Sequence, residues 1–365
     1  MGWHSVDAVD DAVEVTRRFL FPFGLVRWAK LALLVLLMGG GANAGVSVPT
    51  APDAGIGGIS GFLEAGGTET ESVAGGAEFD AVVSDFLAGL PGDWLIAAVA
   101  LVVTVSVVAL SVASLSLRLV FYDALRTNEV RLWRPFLGRF RQAVGLFVAS
   151  VGLWSLAVGP IALAVLVAAA TERPIGWGPI GSLATAVGSP SVGPAVILGL
   201  VGSVIVVLAT LALRLTYEFV VPAMVVEGTG VLAGWRRVWR AVSGEWVEFL
   251  VYLAVHFFVG LGTAIVEGVT LLVAGSVVGV ISGSALLLAA VPLGGLGALV
   301  STTAGLVTVA IIGTVAVATL IALTLPVSVV TRSYVIAYEV ATLGGIDPGL
   351  SLFHPDIDPT SADGD

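Results

Sequence analysis

Apolar positions run in long blocks along this chain, and polar positions gather between the blocks. The 64 residues from Gly268 to Thr331 contain no Asp, Glu, Lys, Arg or His. A helix in water keeps a polar face toward solvent, so a charge-free block of this length belongs in lipid. Similar blocks occupy Trp94 to Leu117, Ala143 to Ala170 and Pro174 to Leu213. A crossing helix needs about 20 residues, which predicts spans at Leu25 to Gly41, Trp94 to Leu117, Ala143 to Ala170, Val192 to Leu213 and Val247 to Val266. The Gly268–Thr331 block can cross once with an outer helical extension, or two or three times. Arg332 at its end favours an odd number, hence six spans, with seven or eight as the alternative. The expected fold class is an all-α polytopic transmembrane helix bundle with amphipathic helices on its inner surface. It forms one domain over residues 1–343, followed by an acidic tail over 344–365.

Shorter patterns fill in the ends. Ser5 is placed to cap a helix with Val6, Val9 and Val13 on one face and Asp7, Asp10, Asp11 and Glu14 mostly elsewhere. Acidic residues lead that helix and Arg17 and Arg18 close it, matching the helix dipole. It reads as a helix lying on the inner membrane surface. Gly275, Gly279 and Gly283 share a helix face at a spacing that lets a second helix approach closely in lipid. Pro292, Gly294, Gly295 and Gly297 mark a turn. The tail from Gly344, with Asp347, Pro348, Pro355, Asp356, Asp358 and Pro359, lacks a hydrophobic pattern for packing and is expected to be mobile at its end.

Arginine positions orient the chain, because cytoplasmic loops collect Lys and Arg. Arg17, Arg18, Arg27 and Lys30 put the N-terminus inside. Asn43 to Asp93 holds eight acidic residues and no Lys or Arg, and reads as a flexible outer loop. Arg118 to Arg141 returns to the cytoplasm, Thr171 to Pro194 is a second outer loop, and Arg214 to Arg240 is inside again. Both termini are therefore expected in the cytoplasm and the protein in the cell membrane. A rival reading takes Arg27 to Ala44 as a cleaved signal peptide ending in Ala42-Asn43-Ala44.

Composition narrows the function classes. Apolar residues make up 57% of the chain and charged ones only 12%, about half the soluble norm of roughly 25%. Cysteine is absent, which removes disulfides and thiolate chemistry. His4, His256 and His354 look too few and too scattered for a metal cluster. Phosphate-binding glycine loops, H-E-x-x-H, G-x-S-x-G and paired membrane aspartates are all missing. No catalytic, cofactor or metal residue is therefore assigned, and no basic footprint for nucleic acid is present. The 26 acidic residues face 15 Arg and one Lys, a balance that looks like a halophilic proteome, although a GC-rich genome also favours Ala, Gly, Val and Arg.

Two cytoplasmic connections share a layout: Arg118, Phe121, Tyr122 and Asp123 with Arg134, Phe136, Arg139 and Arg141, and Arg214, Tyr217 and Glu218 with Trp235, Arg236, Arg237, Trp239 and Arg240. Arg332, Tyr334, Tyr338 and Glu339 form a partial third copy, as duplication of a two-helix unit would produce. On the stretches VDAVDDAVEVTRRFLFPF, FYDALRTNEVRLWRPFLGRFRQAVGLF and RSYVIAYEVATLGGIDPGLSLF, nearly the whole chain resembles a haloarchaeal family of multi-pass membrane proteins of unknown function. That resemblance implies architecture and no chemistry. More remotely, VVEGTGVLAGWRRVWRAVSGEW is similar to the membrane domain attached to some glycerophosphodiester phosphodiesterases, whose catalytic barrel has no room here.

Ionisable groups in a membrane are costly, so each prompts a functional reading. His256 and Glu267, predicted near the midplane and the outer interface of the fifth span, suggest a proton or cation path, against the plainer reading of a helix-packing hydrogen bond. Arg214 with Glu218, and Asp123 with Arg126, have the spacing of helix-end ion pairs. Arg131, Arg134, Arg139, Arg141, Arg236, Arg237 and Arg240, interleaved with Trp and Phe, are candidate anchors for anionic lipid headgroups. The leading expectation is a non-catalytic membrane protein that organises anionic lipid, a membrane protein partner or a second copy at the inner leaflet. The alternative is a transporter of a lipid-like or small solute.

Overall fold

The computed structural model of the chain describes residues 3–21, 23–40, 93–172, 178–187 and 193–359. The predicted outer loop from Asn43 up to residue 92, the Ala42-Asn43-Ala44 site and parts of the second outer loop lie outside the described residues. Among the described residues every regular element is helical. They are α1 (His4–Leu20), α2 (Leu25–Val35, prolonged by a π turn Leu36–Gly40), α3 (Asp93–Thr127), α4 (Trp133–Glu172), α5 (Gly178–Val187) and α6 (Gly193–Leu215). A π turn, Thr216–Val220, leads into α7 (Val221–Glu227), α8 (Val231–Gly244), α9 (Trp246–Leu293), α10 (Leu296–Ser301) and α11 (Thr303–Ile346). A 3-10 turn, Pro348–Leu350, opens the tail.

Among the described residues, five segments are long and apolar enough to cross a membrane: Ala97–Thr127, Trp133–Ala170, Val196–Glu227, Trp246–Leu293 and Thr303–Ile346. The protein is thus an all-helical polytopic membrane protein. The predicted first span, Leu25 to Gly41, coincides with α2 and its π turn as far as the described residues run, to Gly40. The predicted fifth span, Val247–Val266, does not end at Val266, because α9 runs unbroken to Leu293. The charge-free block is accordingly shared between the far part of α9 and the near part of α11, with the expected turn between them. There Gly294 and Gly295 take φ of +98° and +111°, which only glycine adopts without strain.

The chain forms two compact units, one of Met1–Ser47, Leu117–Gln142 and Leu215–Asp365 and one of Val48–Ser116 and Ala143–Arg214. In the second unit, α4 and α6 come close where a Cβ on Gly202 would touch Pro160 at 3.4 Å. Its helices leave large apolar side chains such as Leu101, Leu110, Val148, Leu156, Ile197 and Leu200 exposed, as lipid-facing helices do.

In the first unit, α9 and α11 pack along each other and α1 lies against both. Burial follows charge here. Along α11 the charge-free part is mostly exposed, whereas Val329, Ile336, Ala337, Tyr338, Val340 and Leu343 are buried. The core sits around these positions with Phe19, Phe121, Tyr122, Phe219 and Tyr252. Segment ends explain the local folds. Asn128, at φ +51°, ends α3 in a left-handed turn that Asn tolerates, and Gly228, at φ +67°, caps α7. Gly234 admits α8 against the preceding turn, since a Cβ there would meet Val220 at 2.9 Å and Met224 at 3.1 Å.

Three expectations are corrected. The buried face of α1 is Ser5, Ala8, Ala12, Val15, Thr16, Phe19 and Leu20, while Val6 and Val13 are exposed. Two alanines and a serine permit close docking on α11, a packing advantage that a count of valines misses. Ser5 does not cap α1: the helix starts at His4, and the Ser5 hydroxyl donates to Glu248 Oε1 at 2.9 Å. The tail also packs. Leu350, Leu352 and Ile357 are buried, His354 N–H donates to Leu125 O, and Arg237 holds Asp347 at 2.6 Å. Three spaced apolar residues suffice because helix ends supply the remaining surface. By contrast, Gly275, Gly279 and Gly283 have no described atom within 4 Å of an added Cβ, so no helix of this chain uses that face among the described residues.

Arg18 ties α1 to the tail, its Nη1 donating to Asp358 O at 3.3 Å. Glu14 is held below its ordinary pKa by hydrogen bonds from Arg18 and Arg17. Asp11 is pushed above its ordinary value by burial and by Asp358, Asp7 and Asp10. A folded-state pKa above the unfolded one means that the folded state binds the extra proton, so stability rises as pH falls through that window. Asp11→Asn is therefore expected to raise the unfolding midpoint slightly at pH 7 and to have no effect at pH values where Asp11 is already protonated. Thermal scans of both proteins between pH 7 and pH 3.5 check this.

Candidate functional site

Three helical segments bring ionisable side chains together inside the first unit. Glu218 comes from the π turn after α6, His256 from α9 and Glu339 from α11, and all three are buried. One oxygen of each carboxylate and one ring nitrogen of His256 all lie within 4.8 Å of one another. The π turn matters because it inserts an extra residue per turn and re-aims Glu218, the role such bulges often have.

Hydroxyl groups fix the cluster. Tyr252, one turn before His256, donates to Glu218 Oε2 at 2.6 Å, and its oxygen lies 3.0 Å from His256 Nδ1. His256 Nε2 faces Glu218 Oε1 at 3.5 Å. From α3, Tyr122 donates to Glu339 Oε2 at 3.3 Å. The Arg118 guanidinium lies over the Tyr217 ring at 4.8 Å, bringing positive charge to the same end of the helices. Aromatic rings close the surroundings: Tyr252 stacks on Tyr338 at 5.7 Å, Phe219 lies 4.7 Å from Tyr252, and Tyr338 lies 5.9 Å from His256. Buried charges demand partners of this kind, since a carboxylate withdrawn from water costs several kcal/mol if unpaired. The arrangement can hold a proton or a cation between two carboxylates and an imidazole.

The sequence had placed these groups differently. The sequence paired His256 with Glu267, yet Glu218 and Glu339 are the carboxylates that lie beside it. Glu267 is not part of this site. It accepts from the Thr331 hydroxyl on α11, next to Arg332, and lies about 16 Å along α9 from His256. Glu267 and Arg332 therefore occupy one level of the α9–α11 pair and cannot mark opposite membrane faces. Glu218 also accepts from the Tyr252 hydroxyl and faces His256. Asp123 pairs with Arg139, at 2.7 Å and 2.9 Å, and not with Arg126, which donates to Val225 O at 3.1 Å. Helix direction explains the exchange: Arg139 on α4 offers a two-pronged fit that a same-helix neighbour cannot.

The arginine candidates divide into two groups. Arg139 is spent on Asp123 and Val225 O, and Arg237 on Glu227 and Asp347, so neither presents its charge outward. Arg131, Arg134, Arg141, Arg236 and Arg240 are exposed in the first unit, beside exposed Trp133, Phe140, Trp239 and Trp246. Helix α8 shows why. Val231, Gly234, Val238 and Val242 are buried, and Trp235 Nε1 donates to Thr216 at 3.1 Å, which turns Arg236, Trp239 and Arg240 to the outside. Arg131 also meets Glu129 at 2.6 Å in an exposed pair that contributes little.

A recoverable signal was the dipeptide Tyr–acid, present at Tyr122-Asp123, Tyr217-Glu218 and Tyr338-Glu339. Each follows an apolar block and an Arg, and Tyr122, Glu218 and Glu339 meet in the site. The family model for a "Family of unknown function (DUF7544)" matches residues 3–353. The chain belongs to that family. This family member has its described helices, its buried cluster and its exposed arginines all within the matched range. Neither the curated proteins nor the solved structures include a match to it.

Proposed function

We propose that this membrane protein is non-catalytic and gathers anionic lipid at the cytoplasmic leaflet through the face carrying Arg131, Arg134, Arg141, Arg236 and Arg240. The supporting observation is that these five arginines are exposed on the first unit together with Trp133 and Trp239. Indole rings favour the membrane–water boundary, and each basic side chain near an anionic leaflet contributes about 1 kcal/mol of attraction. The positive-inside preference supports reading these arginines and both termini as cytoplasmic. Transport of a lipid-like or small solute would use the His256 cluster, and it needs water to reach that cluster. The aromatic rings packed around His256 favour a dry site and the lipid-gathering reading.

Reconstitution into nanodiscs with increasing phosphatidylglycerol over phosphatidylcholine tests the proposal. Binding to the folded state raises stability by mass action, so the thermal midpoint is expected to climb by a few degrees with anionic fraction. High salt should shrink the effect, since the contacts are exposed and screened. Replacing all five arginines with Gln should abolish the dependence. A wild-type midpoint indifferent to lipid charge would overturn the proposal.

A further inference from the structure

We propose that Glu218, His256 and Glu339 form a binding site for one divalent transition-metal cation, of the class of Zn²⁺. The inference goes beyond the lipid reading and does not depend on it. Its first support is the ligand set. An imidazole nitrogen with two carboxylate oxygens is a donor combination that zinc accepts, and the two carboxylates neutralise the ion's charge in a buried site. A cation with only oxygen preference would have no use for the imidazole.

The second support is geometric. Donor atoms about 2.1 Å from a tetrahedral ion stand about 3.4 Å from each other. His256 Nε2 and Glu218 Oε1 stand 3.5 Å apart, and all three donor atoms lie within 4.8 Å of one another. Closing the widest of these separations to 3.4 Å takes at most about 1.4 Å, shared between two flexible side chains.

Proton placement is the third support. The single proton of the Tyr252 hydroxyl goes to Glu218 Oε2 at 2.6 Å, so at its 3.0 Å contact with His256 Nδ1 the hydroxyl oxygen accepts. Nδ1 then carries a hydrogen, and Nε2 turns toward Glu218 Oε1. A bare lone pair facing a carboxylate oxygen is repulsive, so a cation belongs between them, either a proton or a metal. Second-layer hydrogen bonds of the kind that orient metal ligands are already in place: Tyr252 to His256 and Glu218, and Tyr122 to Glu339. A metal ion would draw on all three side chains at once, one donor atom from each.

The test uses the full-length protein purified in detergent, stripped with a chelator and titrated with Zn²⁺, with Mg²⁺ in excess as the competitor. Bound metal is read by inductively coupled plasma mass spectrometry after desalting, and stability by thermal unfolding. One Zn²⁺ per chain is expected, retained against Mg²⁺, with a rise in the unfolding midpoint. Tyr122→Phe, which keeps the ring and its packing, should weaken Zn²⁺ binding by about tenfold. His256→Gln and Glu339→Gln should lower occupancy to background, with helical content by circular dichroism confirming that the chains are folded. Wild-type protein that is folded and takes up no stoichiometric Zn²⁺ would overturn the site and leave a proton in its place. Binding that survives both ligand variants would overturn the assignment as well.

Discussion

Glu248→Ala should detach α1 from the helices it covers and lower stability by about 3 kcal/mol, the scale of losing charged hydrogen bonds and leaving their donors buried. Glu248 is buried, and its Oε1 accepts from the Ser5 backbone N–H at 2.6 Å and the Ser5 hydroxyl at 2.9 Å. The hydroxyl also approaches Glu248 O at 3.3 Å. The carboxylate thus sits at the N-terminus of α1, where unpaired N–H groups and the helix dipole favour a negative charge. With alanine there, the Ser5 backbone N–H loses its acceptor and the hydroxyl keeps only the long contact to the backbone oxygen of residue 248, in a site without exposure. Thermal unfolding and limited proteolysis in detergent check this, with early cleavage within residues 4–20 as the expected sign. Loss of less than about 0.5 kcal/mol would show that apolar packing of Phe19 and Leu20 alone holds α1.

Tyr252→Phe should cost about 2 kcal/mol although ring size is kept, because it removes the hydroxyl between Glu218 and His256 and leaves a buried carboxylate oxygen without its donor. Stacking on Tyr338 and the contact with Phe219 persist in the variant, so the loss isolates the hydrogen bond from the packing. Chemical denaturation in mixed micelles reads it. A Phe variant as stable as wild type would mean that the Glu218 carboxylate is held elsewhere.

Legibility in the sequence tracked periodicity and failed on long-range partners. The charge-free blocks announced the membrane helices, and the glycines at Gly294 and Gly295 announced the turn, because each follows from local composition. The extension of α9 through Val266 was not visible: one Glu at 267 looked like an interface marker, yet Thr331 satisfies it. The docked face of α1 was missed because Ala8 and Ala12 carry little hydrophobic weight while allowing close approach. Arg139 and Arg237 resembled their exposed neighbours in sequence, and only the fold supplies Asp123 and Asp347 as their partners. The buried site was missed for the same reason. Glu218, His256 and Glu339 sit on three segments far apart in sequence, and counting histidines gave no sign that carboxylates would join one of them. The repeated connections carried part of this information, since Glu218 and Glu339 stand at corresponding positions after Tyr217 and Tyr338.

Retention of anionic lipid by the exposed arginines and tryptophans is tested most directly by the lipid that stays with the purified protein. Wild type and a variant with Arg131, Arg134, Arg141, Arg236 and Arg240 changed to Gln would be extracted from the same membranes, and their bound lipids quantified by mass spectrometry. Wild type is expected to be enriched in anionic over zwitterionic lipid relative to the membrane, and the variant to match the membrane's composition while keeping its helical content. Equal anionic enrichment in both would contradict the claim and leave these arginines as orientation signals alone.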